Sequence, residues 1–162
     1  MKKIYQTVVD PKIGNCAQAV IASLFELELD EVPNFILTHE EENMNIQIFN
    51  YFLQKGYDPS NVYANGNYHG KTLREIAEFD GGVDGYFYAS VCSQTFEGGS
   101  HAVIVNKNLM VVHDPNPNQR CFGLSLEQSG LSSFISVKDW IMDKDGSMMM
   151  YEEYLKRIKM TR

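Results

Sequence analysis

The sequence predicts an α+β domain in which N-terminal helices pack on an antiparallel β-sheet, with a further helix at the C-terminus and a single domain over residues 1–162. Three observations carry that reading. Residues 16–25 and 40–55 hold apolar side chains at helical spacing. After Gly81 the apolar residues come instead in short runs rich in aromatic and β-branched types, as strands require. The two kinds of segment are separated along the chain, whereas a parallel sheet would alternate them.

The first helix begins near Cys16, where Gly14 allows a sharp turn and Asn15 is a suitable N-cap. Its apolar face is Ala17, Val20, Ile21, Leu24 and Phe25, and Asp30 to Pro33 reads as a stop. A second helix is expected from about Glu40 to Lys55, with Met44, Ile48, Phe49, Phe52 and Leu53 as its stripe and Gly56 as its terminator. A short strand at Asn61–Ala64 and a helix capped by Thr72 and ending near Phe79 follow. Strands are then expected at Tyr86–Cys92, His101–Val105, Leu109–Val112 and within Ser133–Ile141. A closing helix is expected from about Met150 to Lys159.

Composition excludes several functions. At 44% hydrophobic residues a core can form without staples, and the net charge of −7 disfavours a nucleic-acid partner, whose binding needs clustered Lys and Arg. The basic tail Lys156, Arg157, Lys159 and Arg162 reads as a solvated helix face. No apolar run is long enough to span a membrane, and no apolar signal segment follows Lys2-Lys3, so a cytoplasmic protein is expected. Cys16, Cys92 and Cys121 are too widely and irregularly spaced for a disulfide framework or a zinc site, and reduced thiols are expected.

The candidate chemistry starts at Cys16. At the first turn of a helix, unpaired backbone N–H groups and the positive dipole end favour a thiolate. His101 opens the run His101-Ala102-Val103-Ile104-Val105, where a strand can hold an imidazole at the mouth of a cleft. If the loop of the following hairpin is the two residues Lys107-Asn108, Asp114 stands opposite His101, with Cβ atoms about 5 Å apart. A three-residue loop would instead bring His113 opposite His101 and turn Asp114 to the other face. Asn108 suits the positive φ of a tight turn. Thiol, imidazole and carboxylate have complementary roles as nucleophile, general base and orienting group. Oxyanion donors would be the Cys16 backbone N–H and the side-chain amide of Gln6.

Gly14-Asn15-Cys16-Ala17-Gln18-Ala19, Leu29-Asp30-Glu31-Val32-Pro33, Ser100-His101-Ala102-Val103 and Val112-His113-Asp114-Pro115 together resemble the papain-like cysteine peptidase superfamily. Within it they are most similar to the bacteriocin-leader-processing peptidases and their relatives in bacteria and phages. The resemblance spans roughly residues 6–117. It implies a papain-like fold, Cys16 as nucleophile, His101 as general base, Asp114 as orienting residue and Gln6 as oxyanion amide. One departure stands out: the family glutamine usually lies about six residues before the cysteine, where this chain has Asp10. Gln6 lies ten residues before Cys16, with Pro11 between, so the chain has to loop out.

The expected function is a thiol-dependent hydrolase or acyl-transfer enzyme, a small cysteine peptidase acting on an amide or peptide bond, without metal or cofactor. Its partner is a peptide or protein substrate or a small amide-containing ligand. The alternative is a non-catalytic protein that uses the same cleft as an inhibitor or ligand sponge. His113 is expected to pack on the face opposite Asp114, and Cys92 and Cys121 to be core or loop thiols.

Overall fold

The computed structural model describes residues 1–36, 44–138, 140–142 and 148–150. In chain order the elements are α1 (Cys16–Leu24), a 3-10 turn (Leu29–Glu31), α2 (Met44–Gln54), β1 (Asp58–Tyr63), α3 (Leu73–Asp80), β2 (Phe87–Cys92), β3 (Ser100–Val105), β4 (Val111–His113), β5 (Ser133–Lys138), β6 (Trp140–Met142) and β7 (Met148–Met150). The protein is α+β, with three α-helices among the described residues and a five-stranded antiparallel sheet ordered β1-β5-β2-β3-β4. β6 and β7 form a separate antiparallel pair. Met150 therefore lies in a strand, which corrects the start of the expected closing helix; the rest of that helix lies outside the described residues, as do residues 40–43 of the second helix.

Period-two alternation gives the sheet two buried faces. Tyr88, Ala102, Ile104 and Ile135 face α1 and α2 and pack with Val20, Ile21, Ile48 and Phe52. Val62, Ala89, Val91, Val103 and Phe134 face the other way, toward Ile76 and Ala77 of α3 and toward Cys121 and Leu131. Both faces are dry, so the strands read as apolar runs where a one-sided sheet would alternate polar and apolar residues. α3 starts as the sequence suggests: the Thr72 hydroxyl accepts the Glu75 N–H at 3.1 Å. α2 ends at Gly56, whose φ of 90° reverses the chain without a Cβ clash.

The β3–β4 connection differs from the two-residue turn. Asn106 N–H donates to Met110 O, leaving Lys107-Asn108-Leu109 as a three-residue loop, and Leu109, not Asn108, takes the positive φ of 58°. The Asn106 side chain stabilises this loop by accepting from Asn108 and Met110 N–H. A loop of that length alone would turn Asp114 away from His101. A β-bulge corrects it: Val105 pairs with Val111 but Ile104 pairs with His113, so Val112 is an extra residue in β4. Continued one residue, the shifted register sets Asp114 level with Val103, on the face of β3 shared by His101.

Candidate active site

Cys16 is the first residue of α1, whose remaining turns are pinned against the sheet by residues that are almost fully buried. The expected Asn15 cap is not made. Asn15 precedes the helix, but its side chain reaches back to the N-terminal segment: Oδ1 accepts from Thr7 and Val8 N–H at 3.0 and 2.9 Å. Its Nδ2 donates to Thr7 Oγ1 and Gln18 Oε1. The Asn15 N–H also donates to Val8 O, so residues 8 and 15 are neighbours and the six residues between them form a side loop. Within that loop Asp10 Oδ1 accepts from Lys12 and Ile13 N–H, and Gly14 N–H donates to Asp10 O. A Cβ on Gly14 would stand 2.5 Å from Asp10 O, so the pinch requires glycine there.

The consequence for Gln6 is direct. Although ten residues from Cys16, it lines the same cleft, because the intervening chain is looped out. Gln6 is buried; its backbone N–H donates to Pro115 O at 2.9 Å and its Nε2 donates to Val8 O at 2.9 Å. One N–H of the amide remains, and its Oε1 accepts no hydrogen bond from the described residues.

His101 stands at the start of β3 with its side chain 11% exposed, and its Nε2 lies 2.7 Å from Oδ1 of Asp114, which is 1% exposed. Asp114 is further held by Asn116 N–H on Oδ1 and Cys121 N–H on Oδ2, both at 2.9 Å. With Nε2 engaged by the carboxylate, Nδ1 is the ring nitrogen left to face sulfur. The His101 ring and the Ala17 and Ala102 N–H groups lie near enough to Cys16 to act on its thiol.

The electrostatics follow from these contacts. Burial alone would raise the Cys16 thiol, but the His101 hydrogen bond and charge, with the Ala102 and Ala17 N–H groups, hold it below its ordinary value. Burial disfavours the imidazolium, yet the bonds to Asp114 and Cys16 outweigh it and push His101 up to about 9. Asp114 is held below the usual carboxylate range despite burial, by His101 and by the Cys121 and Asn116 N–H groups. Both shifts act in the direction of a thiolate–imidazolium pair. Cys121 behaves oppositely: it is buried, and burial pushes its thiol up to about 11.

Cys16, His101 and Gln6 open into one cleft of about 540 Å³, bounded by the 9–14 loop, the 93–99 loop and the sheet. Asn116, in contact with Thr95 and 7% exposed, also lines it. Sequence reasoning missed Asn116, although Asp-Pro-Asn is a turn signal whose asparagine amide can brace the loop. Tyr88, one of the tyrosines the sequence offers as cleft-lining, does line it as a buried phenol whose ionisation is suppressed by burial and by the Cys16 charge. His113 stands apart from the constellation: buried, it bonds Ile4 O through Nε2 at 2.7 Å and packs edge-on against Tyr5. Cys92 is exposed. Among the described residues no three His, Cys, Asp or Glu side chains cluster as metal ligands, and no helix is long and apolar enough to cross a membrane. No known protein family, curated protein or solved structure matches this chain.

Proposed function

We propose that this protein is a thiol-dependent hydrolase or acyl-transfer enzyme with a papain-like active centre, a small cysteine peptidase that cleaves an amide or peptide bond. The observation that carries the reading is Cys16 beside the His101 ring, which is hydrogen-bonded at 2.7 Å to a buried Asp114, in one cleft. Cys16 Sγ attacks the carbonyl carbon while the carbonyl oxygen gains charge, met by the Cys16 N–H and the free N–H of Gln6. His101 then gives its Nδ1 proton to the leaving nitrogen, the C–N bond breaks, and the acyl group remains on sulfur. Water attacks that thioester as His101 takes its proton; the carboxylic acid leaves and the thiolate–imidazolium pair is restored. Asp114 keeps the imidazole ring oriented and favours its charged form throughout.

The test is selective alkylation. At about pH 6 iodoacetamide should modify Cys16 at least tenfold faster than Cys92 or Cys121. His101→Ala should remove that preference. Equal, slow labelling of all three thiols would overturn the enzymatic reading and favour a cleft that only binds.

A further inference from the structure

We propose that His113 is a positioning residue for the reaction: by holding the carbonyl of Ile4 it seats the N-terminal segment so that the Gln6 amide meets the oxyanion. The inference rests on the reading of Gln6 as oxyanion donor and gives a role to a buried histidine that the mechanism does not use. His113 is 1% exposed, and its Nε2 lies 2.7 Å from Ile4 O. A carbonyl oxygen only accepts, so the proton of that bond sits on Nε2. Burial, with Lys3 adding to it, holds the ring below its ordinary value against the opposing effects of Ile4 O and Asp114. The ring is therefore neutral at about pH 7, with Nδ1 bare. Ser23 Oγ also stands 3.3 Å from Ile4 O, but its hydroxyl has one proton and lies closer to Ala19 O, at 2.8 Å. His113 is the donor on which Ile4 O depends.

The chain links that bond to the cleft. Gln6 follows Ile4 by two residues, and its side chain makes one hydrogen bond among the described residues, from Nε2 to Val8 O at 2.9 Å. Its Oε1 is enclosed and accepts nothing from those residues, so the amide is placed mainly by the backbone that carries it. Toward α1 that backbone is held by Ser23 Oγ on Ile4 N–H and by Asn15 Oδ1 on Thr7 and Val8 N–H. Toward β4 it has two anchors, Ile4 O on His113 and Gln6 N–H on Pro115 O. Both belong to one tripeptide. Asp114 stands between them, its side chain on the other face of the strand from His113, and orients His101. The same three residues thus set the oxyanion donor and the general base against each other. Tyr5 packs edge-on against the His113 ring, with centroids 5.2 Å apart, and keeps the imidazole from turning away. Phenylalanine would fill this site and leave Ile4 O without its donor, which separates positioning from packing.

The test compares two reactions of Cys16, each located by mass spectrometry. p-Nitrophenyl acetate acetylates the thiolate through a tetrahedral oxyanion and expels nitrophenolate, whereas iodoacetamide alkylates it by a displacement that forms no oxyanion. Gln6→Ala should slow acetylation at least tenfold and leave alkylation unchanged. His113→Phe should slow acetylation by about tenfold, again with alkylation unchanged, and His113→Gln, whose Nε2–H can reach Ile4 O, should recover most of the loss. The double variant Gln6→Ala/His113→Phe should be no slower than Gln6→Ala alone, because the histidine acts through the amide. In the wild-type protein at about pH 7, ring-nitrogen NMR shifts should show His113 as the Nε2–H tautomer, a readout that needs no variant to fold. Wild-type acetylation by folded His113→Phe, equal loss in both reactions, further loss on the Gln6→Ala background, or an Nδ1–H tautomer would each overturn the inference. Slow acetylation by Gln6→Ala with a normal His113→Phe sinks the role of His113 alone. No effect of Gln6→Ala sinks the oxyanion role of Gln6 and this inference with it, whereas failure of fast iodoacetamide labelling in the wild type sinks the enzymatic reading.

Discussion

Asp114→Asn is the perturbation that most directly tests how the thiol is activated. In the native protein the two carboxylate oxygens serve three donors: His101 and the Asn116 N–H on Oδ1, the Cys121 N–H on Oδ2. An amide has one oxygen, so either Cys121 or the His101–Asn116 side must face an NH2 group, and one buried donor loses its acceptor. That costs about 1–3 kcal/mol of stability, readable as a lower urea midpoint. The effect on His101 is larger in kind. Its rise from an ordinary 6.5 to about 9 corresponds to about 3 kcal/mol in favour of the imidazolium, divided between Asp114 and Cys16. Without the carboxylate, His101 should fall back toward its ordinary value, and Cys16, still buried but facing a neutral ring, should rise. Iodoacetamide labelling of Cys16 at about pH 6.5 should then slow between tenfold and a hundredfold, approaching the wild-type rate only in alkali. The pH dependence of stability gives an independent reading. A raised His101 contributes most below its ordinary 6.5 and loses its contribution as pH rises through about 9. A depressed Asp114 contributes above 3.8 and loses its contribution as pH falls through its lower folded value. The variant should lack the acid-side loss and have the alkaline-side loss displaced toward neutrality. A folded Asp114→Asn protein that labels with the wild-type rate and pH profile would refute the assigned role of the carboxylate.

Two further predictions separate the oxyanion side from the thiol side. Gln6→Ala should lower kcat on a peptide amide substrate by about a hundredfold to a thousandfold, the usual effect of losing one oxyanion donor. It should leave iodoacetamide labelling of Cys16 intact, because that displacement develops no oxyanion; equal loss in both assays would show a merely structural role. Asn15→Ala removes four hydrogen bonds, three of which pinch the 9–14 loop, so urea denaturation should show a loss of about 2–3 kcal/mol, with kcat reduced while labelling persists. Asn15→Asp keeps the acceptor for Thr7 and Val8 N–H and should recover part of kcat, which a simple packing defect would not allow.

The helices, the strands and their segregation were legible because each is a local pattern: a 3.6-residue stripe in α1 and α2, apolar runs in β2 and β3, a Thr72 cap on α3. Candidate site residues were legible for a different reason: Cys16 and His101 stand where a helix and a strand begin, and element starts can be read from glycine and polarity. Pairing across the sheet was not legible. Nothing local in Ser133 announces that β5 lies between β1 and β2, since that order is set by which long-range contacts bury the most surface. Asn15 misled for a related reason. Asparagine before a helix suits an N-cap, but here the same oxygen satisfies two N–H groups of a strap seven and eight residues upstream, a long-range demand that outcompetes the local one.

The Asp114–His101 contact shows how weakly turn length alone constrains a site. Side chains alternate with period two, so each residue added to a hairpin loop reverses the face on which every later residue lies. The expected two-residue loop would have aligned His101 and Asp114; the observed three-residue loop reverses that, and the extra Val112 reverses it back. The site therefore depends on parity summed over loop and bulge. A bulge disrupts ladder hydrogen bonding, and Leu109 carries an unfavourable positive φ. What the loop and bulge together secure is the 2.7 Å contact of His101 with a carboxylate that is 1% exposed, the contact on which the proposed chemistry depends.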